Sequence, residues 1–212
     1  TTTWTFDDGT MQGWATMDSD GDGYSWMSSS GKFNPGKQGH NNTECVISHS
    51  YMAEAGGALF PSNYLVAPTK ITATKDTYIS FWAAAQDKTD NKEHFGVAVK
   101  IHSNKYAYDF RMIESWTTED RQWREYKVDL SKYAGQEIWV AICHFGCTNQ
   151  FILKVDDIKI SNYTTDSRLS TTWTFDDCTL QGWTTIDADG DGYNWRYPGG
   201  EGRLRSESLS TD

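Results

Sequence analysis

No stretch of this 212-residue chain approaches the roughly 20 consecutive apolar residues that a membrane-spanning helix needs, so insertion into a bilayer is not expected. Basic residues are also scarce. Nineteen Lys and Arg stand against 29 acidic residues, a formal net charge of −10, and no basic cluster stands out. A phosphate backbone would be repelled, which argues against nucleic-acid binding. Cysteine is confined to Cys45, Cys143, Cys147 and Cys178, too few for a disulfide scaffold and without the CxxC spacing of zinc sites. Cys143 and Cys147 flank a turn in CHFGC, which leaves both a single disulfide and buried free thiols open.

Catalytic signatures are missing too. His40, His49, His94 and His102 show no HExxH spacing, and no GxSxG elbow occurs. Cys143 and His144 are adjacent in a predicted strand and should point to opposite faces, which disfavours a Cys/His dyad. The chain is not expected to be an enzyme. It opens on TTTWTF with neither a charged n-region nor an apolar h-region, so a secretory signal, where one is used, is expected upstream in a longer precursor.

What the chain does hold is aromatic residues and turns: ten Trp, eleven Tyr, nine Phe and 18 Gly. With alanine and leucine sparse and no helical periodicity, that composition suggests strands. CVISHSYM (45–52), YISFWAAA (78–85), FGVAVKIH (95–102), YAYDFRMI (106–113), QWREYKVDL (122–130), EIWVAICHF (137–145) and FILKVDDIKI (151–160) read as strands. Polar runs such as QDKTDNKEH (86–94) separate them. The fold class predicted is all-β, an antiparallel two-sheet sandwich of the jelly-roll kind.

The chain also repeats itself. WTFDDGTMQGWATMDSDGDGYSW (4–26) returns as WTFDDCTLQGWTTIDADGDGYNW (173–195), differing only at positions 9, 11, 15, 17, 19 and 25 of the first copy, so 17 of 23 residues are identical. The offset of 169 residues is too long for a solenoid and suits one globular domain per period. Residues 1–162 read as a complete domain, 163–172 as a linker within a Ser/Thr-rich run, and 173–212 as the N-terminal part of a second copy. A segment equivalent to a first strand could add to an open sheet edge of a neighbouring molecule, giving self-association through 173–212. A loosely docked tail is the alternative.

Within the repeat lies DSDGDG. Asp18, Asp20 and Asp22, a Gly at the sixth position and the Tyr24 carbonyl at the seventh follow the front half of a calcium loop of the EF-hand type. Ser29 stands where the twelfth-position Glu would be, and no flanking helices are predicted. Asp187, Asp189 and Asp191 occupy the same places in the second copy. An Asx-rich turn is the plain alternative. A second oxygen site is expected between terminal strands. In FILKVDDIKI, period-2 alternation puts Asp156 on one face with Ile152, Ile158 and Ile160, where a carboxylate needs a partner. Asp7 or Asp8 of WTFDDG could join it around Ca²⁺; alternatively Asp8 caps a turn and Asp156 takes hydrogen bonds from its neighbours.

WTFDDG with QGW, the DxDGDGxxW loop, SNYLVAP (62–68), ISFWAAAQD (79–87), EHFGVAV (93–99) and the run from WREYKVDL through AICHFGC to LKVDDIKI resemble the cleaved adhesin domain family. These are haemagglutinin-adhesin modules found beside gingipain-type cysteine proteases of anaerobic bacteria. The resemblance implies a jelly roll related to MAM and carbohydrate-binding modules. It also implies loop-held Ca²⁺, secretion or surface display, tandem copies, and processing at a basic residue such as Arg168. The ligand would be a host or matrix protein or a glycan. Trp116 and Tyr106, at predicted loops or strand ends, are candidate ligand-binding aromatics, with core packing the other reading for Trp116. A spacer bead in a surface fibre, or an accessory carbohydrate-binding module of a secreted protease or glycosidase, are the competing functions.

Overall fold

The computed structural model describes residues 1–31, 37–101 and 109–163. The chain divides into two compact units, Thr1–Thr165 and Asp166–Asp212, and every described residue belongs to the first. Tyr106, Arg168, Asp187, Asp189, Asp191 and the 173–212 segment lie outside the described residues.

Among the described residues fourteen strands run in chain order: β1 (Thr2–Trp4), β2 (Ala15–Asp18), β3 (Met27–Ser28), β4 (Val46–His49), β5 (Tyr51–Met52), β6 (Gly57–Ala58), β7 (Ser62–Val66), β8 (Ile71–Thr72), β9 (Tyr78–Ala85), β10 (His94–Ile101), β11 (Arg111–Thr117), β12 (Arg124–Asp129), β13 (Glu137–Phe145) and β14 (Ile152–Ile160). One six-stranded sheet has the order β12-β9-β14-β4-β3 with β1 on β14; the other runs β11-β10-β13-β7-β2 with β8 on β13. All pairings within both sheets are antiparallel. This is the antiparallel two-sheet sandwich that the strand-rich composition predicts. The β9 and β13 runs match their predicted bounds; of the 106–113 run, Arg111 to Ile113 lie in β11, which continues through ESWT to Thr117.

Inward side chains of both sheets form one core that includes Phe6, Leu65, Phe81, Phe95, Val97, Ile142, Leu153 and Ile158. Phe81 and Phe95 meet edge to face with ring centroids 6.1 Å apart. Trp116, half-buried, tilts against Tyr126 at 4.9 Å and Phe95 at 5.8 Å, so its ring leans on the core rim near the end of β11.

The last strand departs from the predicted alternation. Asp157 adopts a left-handed backbone with φ of 47°, and the β14–β9 register shifts between Asp156 and Lys159. This bulge swaps the faces of the strand. Leu153, Val155, Ile158 and Ile160 enter the core, while Ile152 packs in a separate cluster with Cys45 and Ile47. Asp156 therefore does not share a face with Ile158 and Ile160, as simple period-2 counting has it. It is buried all the same, at 1 % exposure, beneath the loop that follows residue 37.

Candidate functional site

The DSDGDG loop leaves β2 at Asp18 and turns through Gly21 and Gly23, whose φ values of 74° and 86° need glycine. Asp18 holds the turn: one of its oxygens accepts the Gly21 amide at 2.8 Å, the other the Gly23 amide at 2.8 Å. Asp20 accepts the amide of Ser62 on β7 at 2.7 Å, and Asp22 the amide of Tyr24 at 2.7 Å. The three carboxylates each bring an oxygen within 4.8 Å of the others. That crowding shows in their acidities. Burial, then hydrogen bonding to Asp18, pushes Asp20 up to about 6. Burial also raises Asp18, but its hydrogen bonds to Asp20 and to the Gly23 and Gly21 amides outweigh this and hold it below the usual carboxylate value. Each amide-bonded oxygen keeps a second lone pair, so a cluster of hard oxygen donors fits a hard cation without rearrangement of the turn.

The terminal-strand carboxylates are only partly brought together. β1 lies beside β14, with Trp4 opposite Ile158. Asp8 turns away: it is exposed and accepts the amide and hydroxyl of Thr10, both at 2.9 Å, the turn-capping role. Asp7 is exposed, and its charge acts on Asp156. Asp156 accepts the His40 amide on one oxygen and the Asp157 amide on the other, each at 2.8 Å, yet burial pushes it up to about 7. A side chain at Gly39 would place Cβ 2.7 Å from Asp156 Oδ2 and from the Glu44 carbonyl, and 2.9 Å from the Thr43 carbonyl. Three oxygens thus press toward one backbone position, and Asp7 reaches Asp156 through its charge.

One polar cluster had no warning in the spacing of the sequence. Glu93, at the entry to β10, and His144, on β13, are both fully buried, with Oε2 2.9 Å from Nε2. Ser50 donates its hydroxyl to Glu93 at 3.0 Å, and His144 Nδ1 lies 2.8 Å from Ser48 Oγ. The Gly146 turn, φ 62°, brings Cys147 Sγ to 3.2 Å from His144 Nε2 and 3.5 Å from Glu93 Oε2. The expected separation of Cys143 from His144 holds, since Cys143 packs in an outer cluster with Met17 and Val66. The partner of the imidazole is Cys147 instead. Burial, then the Glu93 charge, pushes this thiol up to about 12, which disfavours the nucleophilic thiolate. With the imidazole sealed from solvent, the cluster is a structural brace.

The sequence profile of the Cleaved Adhesin Domain family matches residues 1–160 and again 170–208. Lys-gingipain of Porphyromonas gingivalis ATCC 33277 is 32 % identical over 208 residues, covering 90 % of this chain and 12 % of that protein. Hemagglutinin A of strain W83 is 32 % identical over 176 residues, covering 74 % of this chain and 8 % of that protein. The chain thus spans about an eighth of the length of the gingipain relatives it matches. Among solved structures, the K1 cleaved adhesin domain of Lys-gingipain superposes with a TM-score of 0.66 at 30 % identity, covering 77 % of this chain and 98 % of that one. The CBM22-2 xylan-binding domain of Paenibacillus barcinonensis Xyn10C shares the fold at a TM-score of 0.50 and 15 % identity.

Proposed function

Because the chain belongs to the cleaved adhesin domain family, we propose that it is a non-catalytic adhesion module of a secreted or surface-displayed bacterial protein, stabilised by Ca²⁺ and binding a host or matrix protein or a glycan. The observation that carries the calcium reading is the convergence of the Asp18, Asp20 and Asp22 carboxylates within 4.8 Å, tied to β7 through Ser62. Tyr24 would add its carbonyl. A bound cation would offset the crowding of the three carboxylates and would fix the β2 turn to the sheet. Asp156, with Asp7 and the Thr43 and Glu44 carbonyls, would hold a second ion and tie β1, β14 and the loop before β4 together. The second family match at 170–208 supports tandem copies, with Asp187, Asp189 and Asp191 repeating the first site.

Thermal unfolding of the full chain in calcium and in excess EDTA tests this reading. At a hundredfold excess over Kd, calcium adds about 2.7 kcal/mol to the native state. For a domain of this size that corresponds to a melting point about 5–10 °C higher. Asp20→Asn should lose most of the shift in calcium and little in EDTA. Equal melting points with and without EDTA would sink the calcium assignment. Failure of the calcium-loaded chain to adhere to an immobilised extracellular-matrix preparation would sink the adhesion reading.

A further inference from the structure

The outer face of the β12-β9-β14-β4-β3 sheet carries a cleft of about 560 Å³, within the size range of small-ligand sites. Its charged lining is of one sign. Lys37, Lys88, Arg121 and Lys154 all face it, and among the described residues no carboxylate lines it, on a chain whose net charge is −10. Two acids close to its lining are engaged elsewhere. Asp157 bonds the His40 ring at 2.9 Å, and Asp87, which attracts Arg121, accepts the amides of Thr89 and Asp90.

Lys154 is the unusual member. It lies mid-strand on β14, paired with Ile47 and Ala84, and is only 5 % exposed. Its ammonium sits 5.1 Å from the centroid of the Trp123 ring, and among the described residues no hydrogen-bond acceptor or carboxylate meets it. A buried ammonium with only a ring face for company is costly to keep. A strand position between two apolar partners would be filled more stably by an aliphatic residue, so a charge kept there points to something that meets it.

The remaining lining narrows the class. Among the described lining residues Trp123 is the one large apolar side chain, and Gln38, Asn42 and Gln122 add amides, which donate and accept at once. An indole face beside such amides suits a sugar ring, whose hydroxyls also do both. An acidic peptide would need apolar pockets or an open strand edge, and the lining offers neither. The floor is rigid: the His40 ring stacks on Trp82 at 3.8 Å while its amide bonds Asp156.

We propose that this cleft binds an acidic glycan, with the carboxylate or sulfate of one sugar seated on Lys154 and Arg121 and a sugar ring against Trp123. This rests on the adhesion reading above and names the ligand class for it. Titration calorimetry of the full chain in calcium and low salt tests it, with a heparin-derived hexasaccharide, its desulfated carboxylate form, neutral xylohexaose and poly-L-glutamate as probes. At least one acidic oligosaccharide should bind about tenfold or more tightly than the neutral one and weaken with added salt. Preference between the first two identifies the anion as sulfate or carboxylate. Lys154→Met should weaken acidic-glycan binding about tenfold or more without lowering the melting point, which a purely structural lysine would not do; Trp123→Ala should weaken it as well. Poly-L-glutamate binding as well as the sugars would overturn the glycan class. Equal binding of neutral and acidic sugars, or unchanged affinity in Lys154→Met, would overturn the site. If the chain adheres to matrix yet ignores every acidic probe, the adhesion reading survives and this one falls.

Discussion

Truncating Glu93 to alanine should cost about 4 kcal/mol. One carboxylate oxygen takes the Ser50 hydroxyl at 3.0 Å, and the other lies 2.9 Å from His144 Nε2. The Ser50 hydroxyl is not free to rotate: its oxygen already receives the amides of Gln150 at 3.0 Å and Phe151 at 3.1 Å, which fills both lone pairs and holds the O–H toward Glu93. Removing the carboxylate therefore orphans two buried donors at about 1–3 kcal/mol each, in a site with no water access. Glu93→Gln should cost less, about 1–2 kcal/mol, because the imidazole can change tautomer and accept from the amide while Ser50 keeps its carbonyl partner. Urea unfolding followed by tryptophan fluorescence measures both, and at about 2–4 °C per kcal/mol the alanine variant should melt about 8–16 °C lower. A loss below about 1 kcal/mol for Glu93→Ala would refute the brace and require that water or a rearranged side chain satisfies Ser50 and His144.

His49 is buried with no hydrogen-bond partner at Nδ1, and burial, then the nearby His144, lowers it to about 4. The folded state resists its protonation, so the stability contributed by the neutral ring is complete above about pH 6.5 and is lost as pH falls toward 4. The loss amounts to about 3 kcal/mol. A His49→Gln variant should flatten that limb of the stability–pH curve, and an unchanged limb would place the acid sensitivity elsewhere. Gly39→Ala should destabilise by about 1–3 kcal/mol, since its Cβ would meet three oxygens at 2.7–2.9 Å that are themselves fixed by backbone; an unaltered melting point would mean that the loop shifts freely.

The sandwich was legible because its long strands carry their own evidence: YISFWAAA and EIWVAICHF are continuous β-branched, aromatic and small-residue runs between polar turns. The convergence of Asp18, Asp20 and Asp22 was legible because the DSDGDG pattern is local, so their spacing in the chain is nearly their spacing in space. Features that depend on a single backbone deviation were not. The left-handed Asp157 exchanges the two faces of β14, which alternation cannot foresee in a residue other than glycine. Glu93 hides at the end of the polar run QDKTDNKEH, and Cys147 reaches His144 only through the Gly146 turn. The Lys154–Trp123 cleft joins residues from two strand regions and the loop near residue 40, and one signal did exist: a lysine in the middle of a strand that is otherwise buried.

The pairing of β1 with β14 sets a kinetic problem. Thr2 meets Ile160, so the first sheet cannot be completed until almost the whole domain has been synthesised. The tripeptide Thr2-Thr3-Trp4 occurs again as Thr171-Thr172-Trp173, only 11 residues past Ile160. Closing the short loop rather than the long one saves about 2 kcal/mol of chain entropy. The nearby copy therefore has the advantage of speed, while the distant one has Trp4 already wedged between Trp14 at 5.3 Å and Tyr163 at 4.7 Å. The repeated sequence within this chain sets proximity against packing, and a wrong choice of first strand is the misfolding route that this topology leaves open.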